Sequence, residues 1–150
     1  KGPVIDIESS YMLGLPKDSR LVYEFHQESS FYRNFDAFFN THYPIFRRST
    51  TINGTMSVLS GSHRLGDLSY TKNRKASNSY TDLIPKDINN IISKYDEVHL
   101  ELDLGDCAIF HKDLIHKSNF NSSNLCRPVA VGRLTQDVSG DLIVKTSDEH

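Results

Sequence analysis

The chain has 150 residues and a mass of 17.1 kDa, which is enough for one domain with a buried core. Its hydrophobic content of 37% and charged content of 24% are ordinary for a globular protein, and the formal charge of −2 offers no basic surface for nucleic acid or anionic lipid. No apolar run approaches the roughly 20 residues that a membrane-spanning helix needs. We therefore expect neither a nucleic-acid partner nor a membrane span in this sequence.

The cysteines and the first residue bear on cellular context. Cys107 and Cys126 are too few for a disulfide framework and lack the spacing of a metal site. We therefore expect two thiols in a reducing compartment and a cytoplasmic location. The sequence starts at Lys1, without methionine or a signal-like apolar segment, as a trimmed chain or a fragment of a longer protein would. We predict one domain over residues 1–150 and leave its oligomeric state open.

Short strand-like runs separated by turn residues dominate the chain. Residues 21–26 alternate between bulky and polar side chains, and Pro44 confines the next run to an edge, a bulge or a strand start. Asn53-Gly54 is a strong hairpin signal. The predicted strands cover residues 21–26, 41–47, 55–59, 98–102, 107–110, 129–135 and 142–145. Many short strands with little helix favour two packed sheets, as in a β-sandwich or jelly roll.

One short helix is predicted, over residues 87–95. Asp87 can cap its N-terminus, and Ile88, Ile91 and Ile92 form an apolar stripe that is typical of packing. Residues 67–82 are rich in polar side chains, which predicts a surface loop. The expected fold is therefore mostly β.

Two segments carry a possible metal-binding pattern. On a strand, His26 and Glu28 project to the same face and Gln27 to the other. Such a triplet also arises by chance, as a histidine and a glutamate at the end of a surface strand. His116 follows an apolar strand and precedes a segment rich in Ser and Asn, which favours ligation over core packing. Two imidazoles and one carboxylate form the donor set of many non-haem Fe(II) sites. Arg127, a short way beyond, would supply a cation for the carboxylate of a co-substrate.

A second histidine–carboxylate pair lies close to the distal histidine. His111 and Asp113 form an H-x-D triplet, but His111 lies only five positions before His116. That distance is too short for the two halves of such a site on different strands. We interpret His111 as a residue at a strand end. The other histidines carry no comparable pattern and are interpreted as structural or solvated: His42, His63, His99 and His150.

Four pieces of the sequence occur in a recognisable order. They are FHQE at residues 25–28, NGTMSVLSGSHRLG at 53–66, GDCAIFHKDLIHKS at 105–118 and RPVAV at 127–131. Together they resemble the phytanoyl-CoA dioxygenase family of Fe(II)/2-oxoglutarate oxygenases. The resemblance runs from about residue 21 to residue 135. It implies a double-stranded β-helix, the cupin-like form of the jelly roll.

The resemblance also implies roles for six residues. Three would hold Fe(II): His26, Glu28 and His116. Three would bind 2-oxoglutarate: Arg127 and Ser118 at its distal carboxylate, and Gln27 near its metal-chelating end. The family usually has aspartate where this chain has Glu28. Glutamate is one methylene longer but is still an anionic oxygen donor, so we expect iron binding to survive.

The implied activity is a dioxygenase reaction on a small molecule, in which 2-oxoglutarate and O₂ yield succinate and CO₂ and the substrate is hydroxylated. Halogenation is disfavoured because relatives with that activity lack the carboxylate ligand. The substrate is not identified. Candidate residues at the pocket entrance are Tyr32, Arg33, Arg47, Arg48 and the 67–82 segment.

The alternative is a non-catalytic jelly-roll module that binds metal or carbohydrate and kept the oxygenase scaffold. The glutamate at position 28 and the short N-terminal region support it. Arg127 and Ser118 argue against it, because such a module has no use for a 2-oxoglutarate site.

Overall fold

The computed structural model describes residues 4–73 and 82–136. In that part of the chain every strand pair is antiparallel. The strands are β1 (Val4–Gly14), β2 (Phe39–Pro44), β3 (Ser57–Leu59), β4 (Tyr70–Asn73), β5 (Asp82–Pro85), β6 (Glu97–His99), β7 (Ala108–His111), β8 (His116–Lys117) and β9 (Arg127–Gln136). The helices are α1 (Ile88–Ile92) and two 3-10 helices, Glu28–Ser30 and Ser62–Leu65. Within these residues, no helix is both long and apolar enough to cross a membrane.

The strands form two main sheets and a hairpin. The larger sheet has the order β1-β9-β2-β7, and the smaller has the order β6-β3-β8. Strands β4 and β5 pair only with each other. The long β1–β9 pairing joins Val4 to Gln136 at one end and Gly14 to Arg127 at the other. This mostly β jelly roll with one short helix confirms the predicted fold class.

Alternation along the larger sheet places one row of side chains from each strand in a central cavity. On an extended strand, every second residue faces the same side. The inward residues include Glu8, Ser10 and Met12 on β1, Asn40 and His42 on β2, and Arg127, Val129, Val131 and Arg133 on β9. The smaller sheet closes the other side, where His116 lines the same cavity.

An apolar cluster supports the smaller sheet from outside the cavity. Phe25, Leu59 and Ile115 are buried together, and Ile88 and Ile91 of α1 pack against them. Burial of side chains of this size contributes about 1.5–3 kcal/mol each. The predicted apolar stripe of the helix is therefore used for packing, although Ile92 is 36% exposed.

The helix begins differently from the prediction. Asp87 has a positive φ of 62° and makes no capping hydrogen bond with its side chain. Its backbone carbonyl instead accepts hydrogen bonds from the N–H groups of Asn90 and Ile91. The prediction of a side-chain cap at Asp87 is wrong, because a left-handed backbone conformation turns the residue away from the capping geometry.

Two predicted β-structures and one predicted loop differ in the structure. Residues 21–26 form no strand, and only His26 pairs, in an isolated bridge with His116. The turn at Asn53-Gly54 forms, but β2 and β3 on either side belong to different sheets, so there is no hairpin. The polar 67–82 segment contains β4. The predicted strand over residues 142–145 lies outside the described residues.

Candidate active site

Three side chains that line the central cavity converge at one point. The backbones of His26 and His116 exchange two hydrogen bonds, of 2.9 and 3.0 Å, which place the two imidazoles side by side. Glu28 opens a 3-10 helix directly after that bridge. One ligand atom from each of the three lies within 4.8 Å of the others, and this is the one such group in residues 4–73 and 82–136. A bridge followed by a tight turn, rather than one face of a strand, brings them together.

The two imidazoles are in the tautomer that a metal requires. Nδ1 of His26 lies 2.6 Å from the Glu24 carbonyl oxygen, and Nδ1 of His116 lies 2.8 Å from the Leu114 carbonyl oxygen. Because a carbonyl only accepts, each Nδ1 donates its hydrogen, and each Nε2 keeps a free lone pair. These Nε2 atoms lie 3.9 and 3.5 Å from Oε2 of Glu28. Two neutral nitrogen donors and one carboxylate oxygen thus face one point, an arrangement that fits a divalent iron ion.

Electrostatics keep this donor set in the protonation state that binds metal. Burial would raise the pKa of Glu28, but the adjacent His116 and the charge of Arg133 outweigh it and lower the pKa to about 2. Burial lowers the pKa of His26 to about 4, and repulsion from His116 acts in the same direction. Near neutral pH, Glu28 is therefore ionised and His26 neutral.

Arg133 is a site residue that the sequence analysis missed. Its Nε and Nη2 atoms donate hydrogen bonds of 2.9 and 2.5 Å to Oε1 of Glu28. The guanidinium carbon lies 4.6 Å from the ring centroid of Tyr32, whose hydroxyl donates to Glu8. Arg133 lies six positions after Arg127, and the observed strand β9 begins at Arg127, two residues before the predicted strand 129–135. On one strand, residues an even number of positions apart share a face.

Arg127 lies at the other end of the cavity, at the start of β9. It is only 5% exposed, and its Nε donates a 3.1 Å hydrogen bond to the Asn53 carbonyl oxygen. Nη1 is buried without a hydrogen-bond partner among the described residues. A Cβ on Gly14, its partner on β1, would lie 3.2 Å from Nε and Nη2, so glycine makes room for the guanidinium. Burial lowers the pKa of Arg127 to about 10, which still leaves it protonated. An unpaired buried cation of this kind fits an anionic ligand.

The structure separates the two other predicted co-substrate residues. Ser118 lines the same cavity as Arg127. Gln27 is fully buried elsewhere: its amide nitrogen donates to the carbonyl oxygens of Gly66 and Asp113, and its amide oxygen accepts from the N–H of Leu68. The predicted contact of Gln27 with the co-substrate is therefore not supported, because its side chain joins three backbone segments outside the cavity.

Two polar residues of β2 also line the cavity. Asn40 and His42 are 4% and 5% exposed. Asn40 Nδ2 and His42 Nε2 have no hydrogen-bond partner among the described residues. The sequence analysis treated His42 as structural or solvated. Its inward position follows from the register of β2, which the sequence does not specify.

The remaining candidates lie away from the donor set. His111 lies 3.6 Å from Asp113 in a separate pair and is not part of the three-residue group, in agreement with its interpretation as a residue at a strand end. Of the predicted entrance residues, Tyr32 lines the cavity, but Arg33, Arg47 and Arg48 do not.

The cavity has a volume of about 380 Å³, within the range of small-molecule sites. The possible metal ligands lie at one end of it, and the buried cation of Arg127 lies at the other. A small dicarboxylate could chelate a metal held by these ligands with one end and bind the Arg127 guanidinium with the other.

Comparison with known proteins gives one family match. The sequence profile described as phytanoyl-CoA dioxygenase matches residues 8–129, which is most of the chain. Among curated protein sequences, no match was found.

Several solved structures share the fold. EctD from S. alaskensis with bound Fe has a TM-score of 0.67 at 17% identity, over 89% of this chain and 45% of that one. EvdO2 from Micromonospora carbonacea var. aurantiaca, complexed with 2-oxoglutarate, has a TM-score of 0.69 at 15% identity, over 89% and 52%. SnoN, a non-haem alpha-ketoglutarate-dependent epimerase from nogalamycin biosynthesis, has a TM-score of 0.64 at 16% identity, over 98% and 57%. The chain thus spans about half the length of these proteins.

Proposed function

The chain belongs to the phytanoyl-CoA dioxygenase family, and from that premise we propose that it is an Fe(II)/2-oxoglutarate-dependent dioxygenase that hydroxylates a small molecule. One observation carries the proposal. Two imidazole Nε2 atoms and one carboxylate oxygen face a common point at one end of a cavity. The other end holds the buried guanidinium of Arg127, whose Nη1 has no hydrogen-bond partner in the described part of the chain.

The metal ligands in this proposal are His26, Glu28 and His116. Three protein ligands on one side leave the other side open for a chelating co-substrate and O₂. When bound, the iron supplies the oxidation: 2-oxoglutarate and O₂ become succinate and CO₂, and the second oxygen atom enters the substrate as a hydroxyl group. The three ligands are each 9% exposed or less, which limits their contact with bulk water. The Nδ1 hydrogen bonds of the two histidines to the Glu24 and Leu114 carbonyl oxygens fix the direction of the Nε2 lone pairs.

Arg127 and Ser118 are the proposed partners of the distal carboxylate of 2-oxoglutarate. A planar guanidinium can donate two parallel hydrogen bonds to a carboxylate, and a hydroxyl group can add a third. Nη1 of Arg127, which has no hydrogen-bond partner within residues 4–73 and 82–136, supports this role, because a buried donor left unpaired is costly until an acceptor binds. The EvdO2 structure with 2-oxoglutarate shows that a similar fold accommodates this co-substrate.

Hydroxylation is the outcome we propose. SnoN, which has a similar fold, is an epimerase, so this fold also occurs in enzymes that catalyse a different reaction. Glu28 argues against halogenation, because its carboxylate takes the position that a halide would need. The predictions of a single domain over residues 1–150 and of a cytoplasmic location stay predictions.

A non-catalytic jelly-roll module explains the site less well. Such a module could use the three possible metal ligands, but it gives no reason to bury Arg127 with an unpaired nitrogen at the far end of the same cavity. A neutral carbohydrate ligand would leave the Arg127 cation without an anionic partner.

The test is an anaerobic titration of the purified chain with Fe(II) and then with 2-oxoglutarate. A visible charge-transfer band that saturates with 2-oxoglutarate is the expected result, followed by succinate release on exposure to O₂. A panel of candidate substrates then identifies the one that stimulates succinate release. If Fe(II) binds but 2-oxoglutarate produces neither the band nor succinate, the non-catalytic module is the better assignment.

A further inference from the structure

The inner face of β2 carries a buried imidazole that the proposed chemistry does not use. His42 lines the cavity and is 5% exposed. Its Nε2 atom has no hydrogen-bond partner among residues 4–73 and 82–136. Leaving a buried polar atom unpaired costs free energy, and such atoms in folded proteins are uncommon enough to need an explanation.

The register of the sheet places His42 between the two ends of the proposed co-substrate site. His42 lies opposite Val131 on β9. Arg127 precedes Val131 on the inward face of that strand. Arg133, which donates hydrogen bonds to the Glu28 carboxylate, follows Val131 on the same face. A ligand that stretched from the metal to Arg127 would therefore pass along the imidazole.

The charge state of His42 restricts what it can bind. Burial lowers its pKa to about 3, and the charges of Arg127 and His116 act in the same direction. The ring is therefore neutral near pH 7 and carries one N–H. The carboxylate and keto oxygens of 2-oxoglutarate only accept hydrogen bonds, so Nε2 must carry the hydrogen to bind one of them.

Resting on the function proposed above, we propose that His42 is a co-substrate-binding residue whose Nε2–H donates a hydrogen bond to the distal carboxylate of 2-oxoglutarate beside Arg127. Arg127 Nε already donates to the Asn53 carbonyl oxygen, so it is not available to the ligand. A carboxylate has about four acceptor sites, and the remaining donors of Arg127 together with the Ser118 hydroxyl do not fill all of them. Binding would then pair two buried donors, Nη1 of Arg127 and Nε2 of His42, in one step.

Two substitutions at this position separate ligand binding from a structural role. His42→Leu keeps the volume and removes the donor. His42→Gln places an amide N–H near the position of Nε2 and serves as the matched control. Dissociation constants for 2-oxoglutarate come from the anaerobic charge-transfer titration with Fe(II), and the affinity for Fe(II) alone is measured in parallel.

The expected result for His42→Leu is a Kd for 2-oxoglutarate raised about tenfold or more, since hydrogen bonds to charged groups are among the stronger ones. The affinity for Fe(II) alone should not change, and His42→Gln should recover most of the loss. With 2-oxovalerate, which has a methyl group in place of the distal carboxylate, the wild type and His42→Leu should bind equally.

The Tm without ligand distinguishes a binding role from a structural role for His42. Replacing a structural histidine would lower the Tm, whereas replacing an unpaired buried donor would not. Without ligand, the Tm of His42→Leu should equal or exceed that of the wild type, because an unpaired buried donor has been removed. The increase in Tm produced by 2-oxoglutarate should be smaller in the variant. A lower Tm without ligand, an unchanged Kd for 2-oxoglutarate, or an equal loss for 2-oxovalerate would each overturn the proposal. If the wild type itself shows no 2-oxoglutarate band, the proposed function fails instead.

Discussion

Arg133 donates two hydrogen bonds to Oε1 of Glu28 and leaves Oε2 directed at the Nε2 atoms of His26 and His116. The two oxygens of the carboxylate therefore have different partners. Such an arrangement presents one oxygen to a metal and prevents the longer glutamate side chain from rotating away. Glutamate at position 28, where the family usually has aspartate, is thus held in place by Arg133, which lies 105 positions away in the sequence.

Removing the guanidinium should weaken metal binding. We expect Arg133→Met to raise the Kd for Fe(II) about tenfold to hundredfold, the usual effect of losing the partner that orients a ligand. Arg133→Lys keeps the charge but not the bidentate geometry, so its Kd for Fe(II) should lie between those of Arg133→Met and the wild type. Competition with a chromophoric chelator measures both. Wild-type affinity in Arg133→Met would show that Glu28 needs no such support.

Restoring the usual family residue should not improve the site. We expect Glu28→Asp to bind Fe(II) about tenfold less tightly, because the shorter side chain cannot reach Arg133 and the metal position together. Glu28→Gln, of nearly equal size but without charge, is the control for the loss of the anion. Tighter binding by Glu28→Asp would contradict the role assigned to Arg133.

Arg127 should affect the co-substrate and not the metal. For Arg127→Leu we expect the Kd for 2-oxoglutarate to rise about tenfold to hundredfold, the range for lost charge-assisted hydrogen bonds, with the Kd for Fe(II) nearly unchanged. Arg127→Lys should retain part of the affinity because it keeps the cation. The anaerobic titration gives both constants, and a parallel loss of both would mean that Arg127 supports the fold instead.

The turn that holds Arg127 should depend on Gly54. This residue has φ of 79°, and an added Cβ would lie 2.6 Å from the Asn119 carbonyl oxygen. Gly54→Ala should therefore destabilise the protein by more than the roughly 1–2 kcal/mol of left-handed strain alone. Gly61→Ala is the matched control, because Gly61 has φ of 81° but no atom within 4 Å of the added Cβ. Denaturant unfolding compares the two, and equal losses would show that the contact with Asn119 is unimportant.

The stability of the metal-free protein should depend on pH through His42. Its pKa falls to about 3 in the folded state, mainly through burial and then through the charges of Arg127 and His116. The unfolded chain, with an ordinary value near 6.5, binds more protons between those two pH values. The stability that comes from keeping the His42 ring neutral is thus complete above about pH 6.5, and it is lost as the pH falls toward 3. His42→Leu should reduce the pH slope of the unfolding free energy by up to about 1.4 kcal/mol per unit. An unchanged slope would contradict burial of a neutral ring.

Local sequence patterns predicted the residue types of the site better than their arrangement. The FHQE segment, His116 and Arg127 identified the donors and the cation, because these chemistries depend on which side chains are present and on their order. Alternating runs also indicated a mostly β fold. The expected contact of Gln27 with the co-substrate came from the family resemblance, whereas strand alternation already directed Gln27 away from His26 and Glu28. In the structure its amide is hydrogen-bonded to backbone groups outside the cavity.

Only the tertiary structure decided which residues face the cavity and which strands pair. Alternation shows that Arg127 and Arg133 share a face but not that this face is the inner one. It also cannot show that β1 pairs with β9 across almost the whole chain, or that His42 lies opposite Val131. Such pairings are set by the burial of side chains that are distant in sequence, and the free energy of that burial depends on the whole packed fold. For that reason the possible metal ligands could be predicted from the sequence, whereas the pairing of Arg133 with Glu28 and the inward position of His42 could not.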